Sequence, residues 1–166
     1  MKKLENVIIY IINYFQKNFA PADLGKVKLN KILWFADRAF MYKNYMSLTK
    51  SSYIRNPQGP VIKKLDNVLN GLEKNGFIRS FSLNKGGFQQ ISFICLKEPD
   101  LNKFTAKEIN TLDEIINSFA LKTAKELSEI THDEIWEKTK DGDTMPIESV
   151  FLQDVILATK EDVING

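Results

Sequence analysis

The chain offers few groups with which to move protons or electrons. Among its 166 residues there is one histidine, His132, and one cysteine, Cys95. A zinc site of the usual kind draws several ligands from His and Cys, so no metal site is assigned, and no glycine loop has the spacing of a phosphate cradle. His132 stands near Ser128 and Asp133, a grouping in which a small hydrolase would use the imidazole as a base. The competing reading, a lone histidine satisfying backbone groups at a helix junction, is favoured. Glu134 and Glu137 have the spacing of any solvated helix face, with nothing to isolate them in an apolar pocket. Cys95 lies in an apolar run and reads as a small core residue. A single cysteine excludes an intramolecular disulfide and fits a reducing, cytoplasmic environment. No catalytic residue, metal or cofactor is therefore assigned. Asp37 is the remaining acid of interest. Leu33 and Trp34 lie one helical turn before it and Phe40 and Met41 one turn after, so any partner for a buried Asp37 must come from another segment.

The elements that position these residues follow from hydrophobic periodicity. Val7, Ile8, Ile11, Ile12, Phe15 and Phe19 recur at helical spacing and predict a first helix near 3–18. Lys2-Lys3, the apolar 7–12 and Ala20-Pro21-Ala22 mimic a secretory signal, but Glu5, Asn6, Asn13, Gln16, Lys17 and Asn18 interrupt the stretch, and that reading is rejected. No run elsewhere approaches the ~20 apolar residues of a membrane span. A second helix near 27–44 carries the stripe Leu29, Ile32, Leu33, Ala36, Ala39 and Phe40. Lys28, Lys31, Asp37 and Arg38 stand opposite, with Trp34 and Phe35 at the flanks. After a loop or short strand over 46–58, Gly59 permits a tight turn. Pro60 then presets the first turn of a third helix with the stripe Val61, Leu65, Val68, Leu69 and Leu72, ended by Asn75-Gly76. Strands over 77–83 and 88–96 flank a hairpin turn at 84–87, and helix plus hairpin is a winged-helix pattern. Capping-box spacings at Thr105/Glu108, Thr123/Glu126 and Thr131/Glu134 open further helices. Leu112, Ile115, Ile116 and Phe119 mark one buried face there, and Ala124, Leu127 and Ile130 another. Asp141-Gly142-Asp143 forms a turn before a last short helix over 148–158. With 43% apolar residues and no internal repeat, the expectation is one domain over 1–166. Its class is α+β, mainly α-helical: a compact helical domain with a winged-helix-like β-hairpin.

The net charge of +2 conceals a split. Up to residue 97 the chain has 16 Lys and Arg against 5 Asp and Glu, or +11, and thereafter 7 against 16, or −9. Such asymmetry fits a polyanion-facing surface, an acidic partner, or halves that neutralise each other on folding, the last being favoured. Lys63, Lys64, Lys74, Arg79 and Lys85 surround the winged unit and suit phosphate contacts, but only Asn67 and Asn70 suit base edges, so nucleic acid is the less favoured partner.

The ordered combination 28–37 (Lys28-Leu29-Asn30-Lys31-Ile32-Leu33-Trp34-Phe35-Ala36-Asp37), Gly59-Pro60-Val61, and Leu127-Ser128 to Thr131-His132 and Trp136 resembles the Panacea, or SocA-like, antitoxin domain. The resemblance spans about residues 5 to 140. It departs from the family pattern at Asn44-Tyr45, where members often have Tyr-Gly, which leaves the shape of the loop before Ser47 open. The resemblance implies a non-enzymatic, bacterial or phage-associated protein that neutralises a cognate protein toxin by binding it, in some members as an adaptor delivering the toxin to a protease. Carried over, the family-motif residues are Lys28, Lys31, Phe35, Asp37, Gly59, Pro60, Val61, Ser128, Thr131, His132 and Trp136. Asp37, 59–61 and His132 are expected to meet around one polar seam. A basic face of Lys26, Lys28, Lys31, Lys63 and Lys64 is the candidate surface for an acidic partner, and the acidic helices after Glu98 are the alternative, for a basic toxin. No membrane partner is expected.

Overall fold

A computed structural model describes residues 1–152. Helix α1 (Lys3–Asn18) forms where expected and buries Val7, Ile8, Ile11, Ile12 and Phe15 almost completely. Sequestering a side chain such as Phe15 contributes about 1.5 to 3 kcal/mol, which fixes this helix against the rest of the core. Pro21 opens a single 3-10 turn (Pro21–Asp23) that reverses the chain into α2 (Lys26–Asn44). Two short strands follow, β1 (Tyr53–Asn56) and β2 (Gly59–Ile62), then α3 (Leu65–Lys74) and the hairpin β3 (Ile78–Lys85) and β4 (Phe88–Cys95). The C-terminal part holds a second 3-10 turn (Leu101–Lys103), α4 (Ala106–Phe119), α5 (Ala124–Thr131), α6 (Glu134–Lys138) and β5 (Thr144–Met145). The fold is α+β and mainly helical.

Helix α2 runs through the middle of the molecule. Twelve of its residues are buried, including Lys28, Asn30, Lys31, Asp37 and Arg38. The expected polar face is thus covered too, because β2 and α5 pack against α2 in addition to α4. Helix α1 packs on β4. The hairpin turns through Gly86-Gly87, both at positive φ, as a two-residue turn matched to strand twist requires.

Two expected boundaries are corrected. Gly59-Pro60-Val61 does not open a helix. It forms strand β2, antiparallel to β1 with Asn56 opposite Gly59 and Ile54 opposite Val61, and α3 begins only at Leu65. The turn is made by Pro57 and Gln58, so the residues after it run back along β1. The far edge of β1 pairs with β5, giving the order β2-β1-β5. Thr131 does not cap a helix either. It ends α5, and Asp133 caps α6 by accepting from Trp136 N. The boxes at Thr105/Glu108 and Thr123/Glu126 are both present. Of the last expected helix, 149–152 are helical, and the remainder lies outside the described residues.

Of the seven ion pairs among the described residues, five join the basic stretch to the acidic one: Lys3–Glu108, Lys17–Glu98, Arg38–Asp133, Lys43–Glu114 and Arg55–Asp141. Part of the charge split is therefore paired within the chain, with Lys17–Glu98 and Lys43–Glu114 lying exposed at the surface.

Candidate functional site

The first constellation surrounds Asp37, which has no exposed surface. Its Oδ1 accepts hydrogen bonds from Ser47 Oγ (3.1 Å), Leu48 N (2.9 Å) and Thr49 N (2.8 Å). Its Oδ2 accepts from Thr49 Oγ1 and from Tyr53 Oη at 2.7 Å. Five donors satisfy an acceptor-only group whose burial would otherwise cost several kcal/mol. Burial, and then the neighbouring Asp37 charge, hold the Tyr53 phenol well above its ordinary pKa. The Tyr53 ring meets Trp34 edge to face at 5.0 Å between centroids. Asp37 thus fastens the 47–53 connection to α2. Tyr45, at the position where the family often has glycine, takes the left-handed conformation (φ 57, ψ 28) and ends α2 with its N–H on Met41 O at 2.8 Å.

The second constellation lies on another side of α2. Asp37 follows Lys31 by six residues, about 9 Å along the axis and two-thirds of a turn around it. Gly59 sits between Lys31 and Thr131 at φ +119. A Cβ there would fall well inside 3.0 Å of both Lys31 Nζ and Thr131 Oγ1, so the close approach and the backbone conformation each demand glycine. Lys31 is fully buried, and its ammonium has no hydrogen-bond partner among the described residues. Burial lowers its pKa from 10.5 to about 8. Thr131 donates to Ser128 O at 2.7 Å, closing the last turn of α5.

Trp136 forms the third. His132 lies flat on one ring contact (3.8 Å between centroids, 13° between planes), and the Arg55 guanidinium also stacks on Trp136 at 3.7 Å. The indole Nε1 donates to Asn56 O at 3.2 Å, pinning α6 to the end of β1. Asp133 contacts Arg38 at 3.5 Å, and Arg38 lies over Trp34. Further along α2, Lys28 Nζ donates to Ala120 O at 2.8 Å, where a cation complements the C-terminal end of α4, and burial lowers its pKa. Phe35 stacks on Phe119 at 4.6 Å.

The expected polar seam is therefore divided. Lys31, Gly59 and Thr131 converge, His132 and Trp136 are stacked beside them in sequence and space, and Asp37 serves a separate loop. Pro60 is buried and Val61 half-buried within β2, and Ser128 contributes its carbonyl. His132 offers its ring as a stacking surface, and its Nε2 has no hydrogen bond among the described residues. The expected basic face is also corrected. Lys28 and Lys31 are interior, Lys26 is half-buried and paired with Asp66, and Lys63 and Lys64 remain exposed. Arg55, Asn56 and the donors to Asp37 escaped the sequence reading, because their roles depend on partners about 10 to 80 positions away. The one available signal was Tyr53, an aromatic residue just upstream of Gly59-Pro60-Val61.

A protein-family model described as "Antitoxin SocA-like, Panacea domain" matches residues 29–137. No curated protein matches the chain. The matched span runs from α2 into α6 and holds Lys31, Asp37, Gly59, Thr131, His132 and Trp136, while Lys28 lies one residue before it. Among the described residues, no helix is long and apolar enough to cross a membrane.

Proposed function

The chain belongs to the SocA-like antitoxin, Panacea domain family, and on that premise we propose that it neutralises a toxin protein by direct binding, in the cytoplasm and without turnover. The observation that carries this reading is that the motif residues are spent on cohesion. Asp37 and Lys31 have no exposed surface, Lys28 reaches a helix end, and Trp136 is stacked and hydrogen-bonded. Such a motif suits a scaffold that presents its outer surface to a partner, since function resides in sites carried by a fold. Handing the bound toxin to a protease is an extension of the same reading.

The test is co-expression with each neighbouring open reading frame. One neighbour should arrest growth alone, be tolerated with this chain, and co-purify with it. If no neighbour is toxic, or toxicity persists with this chain present, the proposal fails.

A winged-helix DNA-binding regulator is the second reading, favoured by exposed Lys63, Lys64, Lys74 and Arg79 around α3 and its hairpin. It is weaker because the outer side of α3 also carries Asp66 and Glu73, the latter accepting hydrogen bonds from Ser80. Duplex binding that falls steeply with salt would support it, and no shift on the promoter region at low salt would exclude it.

A further inference from the structure

One open groove, of about 1070 Å³, lies between the starts of α1 and α4 and the 44–51 loop. Its floor is apolar, built from Leu4, Phe40, Met46, Leu48 and Val68. Its rim is basic. Lys2, Lys50 and Lys107 are exposed and their side chains form no ion pair among the described residues, while the Lys2 backbone N–H donates to Glu5 Oε2 at 2.9 Å. The one acid on the lining, Glu108, is already engaged by Lys3 at 2.8 Å and by Thr105 N. The first turns of α1 and α4 form part of the same wall, their dipoles already met by the first-turn carboxylates of Glu5 and Glu108.

The geometry points to this groove as the docking surface for an acidic, amphipathic segment of the partner protein, its apolar side chains on the floor and its carboxylates among the three lysines. The inference deepens the antitoxin reading and rests on it. Charge selects the occupant: a basic or neutral segment would leave three unpaired lysines facing it, whereas acidic residues flanking an apolar ridge match both rim and floor. A phosphodiester chain would satisfy only the rim. The floor offers aliphatic and thioether groups, and its one aromatic ring, Phe40, is 5% exposed, so bases have no ring face on which to stack. Met46 is 58% exposed, and its flexible thioether is suited to adapting to an incoming side chain.

The test uses a labelled helical peptide of about four turns, with leucines along one face and glutamates flanking them, and a counterpart with lysines in place of the glutamates. The acidic peptide should bind, more weakly as salt rises. The triple variant Lys2→Glu/Lys50→Glu/Lys107→Glu should lose about tenfold or more in affinity, as three reversed contacts predict. Met46→Asp should also weaken binding, and Lys125→Glu/Lys140→Glu, at exposed positions outside the groove, should leave it unchanged. No binding, equal binding of the lysine peptide, or a triple variant that binds like the wild type overturns the inference. A dimer that the triple variant dissociates would give the groove to a second copy, and oligonucleotide binding lost in that variant would give it to nucleic acid. Either result overturns it too. In the co-expression assay, equal neutralisation by the wild type and the triple variant removes the groove from the interaction while leaving the antitoxin reading intact. Failure of the wild type itself removes the antitoxin reading.

Discussion

Lys31→Met should make the protein more stable at neutral pH, by an amount that disappears as the pH is raised. The lysine ammonium is fully buried without a hydrogen-bond partner among the described residues, and its pKa falls from 10.5 to about 8. A lowered lysine pKa means that the folded state disfavours the charged form. Below pH 8 the group is protonated in both states and its full penalty applies. Between pH 8 and 10.5 the unfolded chain holds the extra proton, so the stability of the wild type rises with pH. Above 10.5 both states are neutral and the penalty is gone. A difference of about 2.5 pKa units corresponds to about 3 kcal/mol. Methionine keeps most of the side-chain volume while removing the charge. Urea denaturation of both proteins should show Lys31→Met ahead by about 3 kcal/mol at pH 7, with the gap closing towards pH 10.5. Burial also raises the pKa of Tyr53 and pushes the Cys95 thiol up to about 12, so these groups withdraw stability at alkaline pH. They do so in both proteins, and the difference between the two curves isolates Lys31. A gap independent of pH from 7 to 10, or a Lys31→Met protein less stable at pH 7, would refute the reasoning.

Asp37→Ala should cost about 3 to 5 kcal/mol in urea denaturation, because it strands the buried Leu48 and Thr49 amides and the Tyr53 hydroxyl; a loss below about 1 kcal/mol would show that the 47–53 loop is held by other contacts. Gly59→Ala should destabilise by at least about 2 kcal/mol, and Lys31→Ala in the same chain should restore only part of it, since the positive φ persists. A double-mutant cycle with full restoration would contradict the backbone term. Thr105→Ala should lower stability by about 1 kcal/mol through loss of the α4 cap, measured as a shift in melting temperature.

What was legible in the sequence was whatever repeats locally. Helix α1 forms over 3–18 as its apolar spacing indicates, and the Gly86-Gly87 hairpin and two of three capping boxes follow from neighbours within four residues. Helix α2 was found, but its environment was not. A helix that carries Lys28, Lys31, Asp37 and Arg38 reads as half-solvated, and only tertiary partners such as Ala120 O and the 47–53 loop make room for those groups inside. Gly59-Pro60 was ambiguous for a related reason. Glycine followed by proline serves a helix start as well as a turn exit, and what decides for β2 is pairing with β1, itself flanked by β5 some ninety residues later. Thr131/Glu134 had the right spacing for a cap, yet Asp133 lay nearer the helix that formed and took the role. Opposite charges in the two halves could be seen to need each other, but not which residues would meet. The candidate site, whose parts come from α2, β1, β2, α5 and α6, was therefore visible only as a set of motif residues and not as three separate constellations.

The position of β5 has a consequence for synthesis. While the chain is still emerging from the ribosome, β1 and β2 can pair, but the outer edge of β1 waits for Thr144 and Met145, some ninety residues later. Until then the nascent polypeptide exposes an unpaired strand beside the loop that Asp37 holds, the kind of edge that recruits other chains or proteases. Arrival of β5 acts as a latch, so a prematurely terminated product would lack both the strand and the Trp136 stack when the stop falls before α6. Such fragments are expected to be cleared rather than to accumulate.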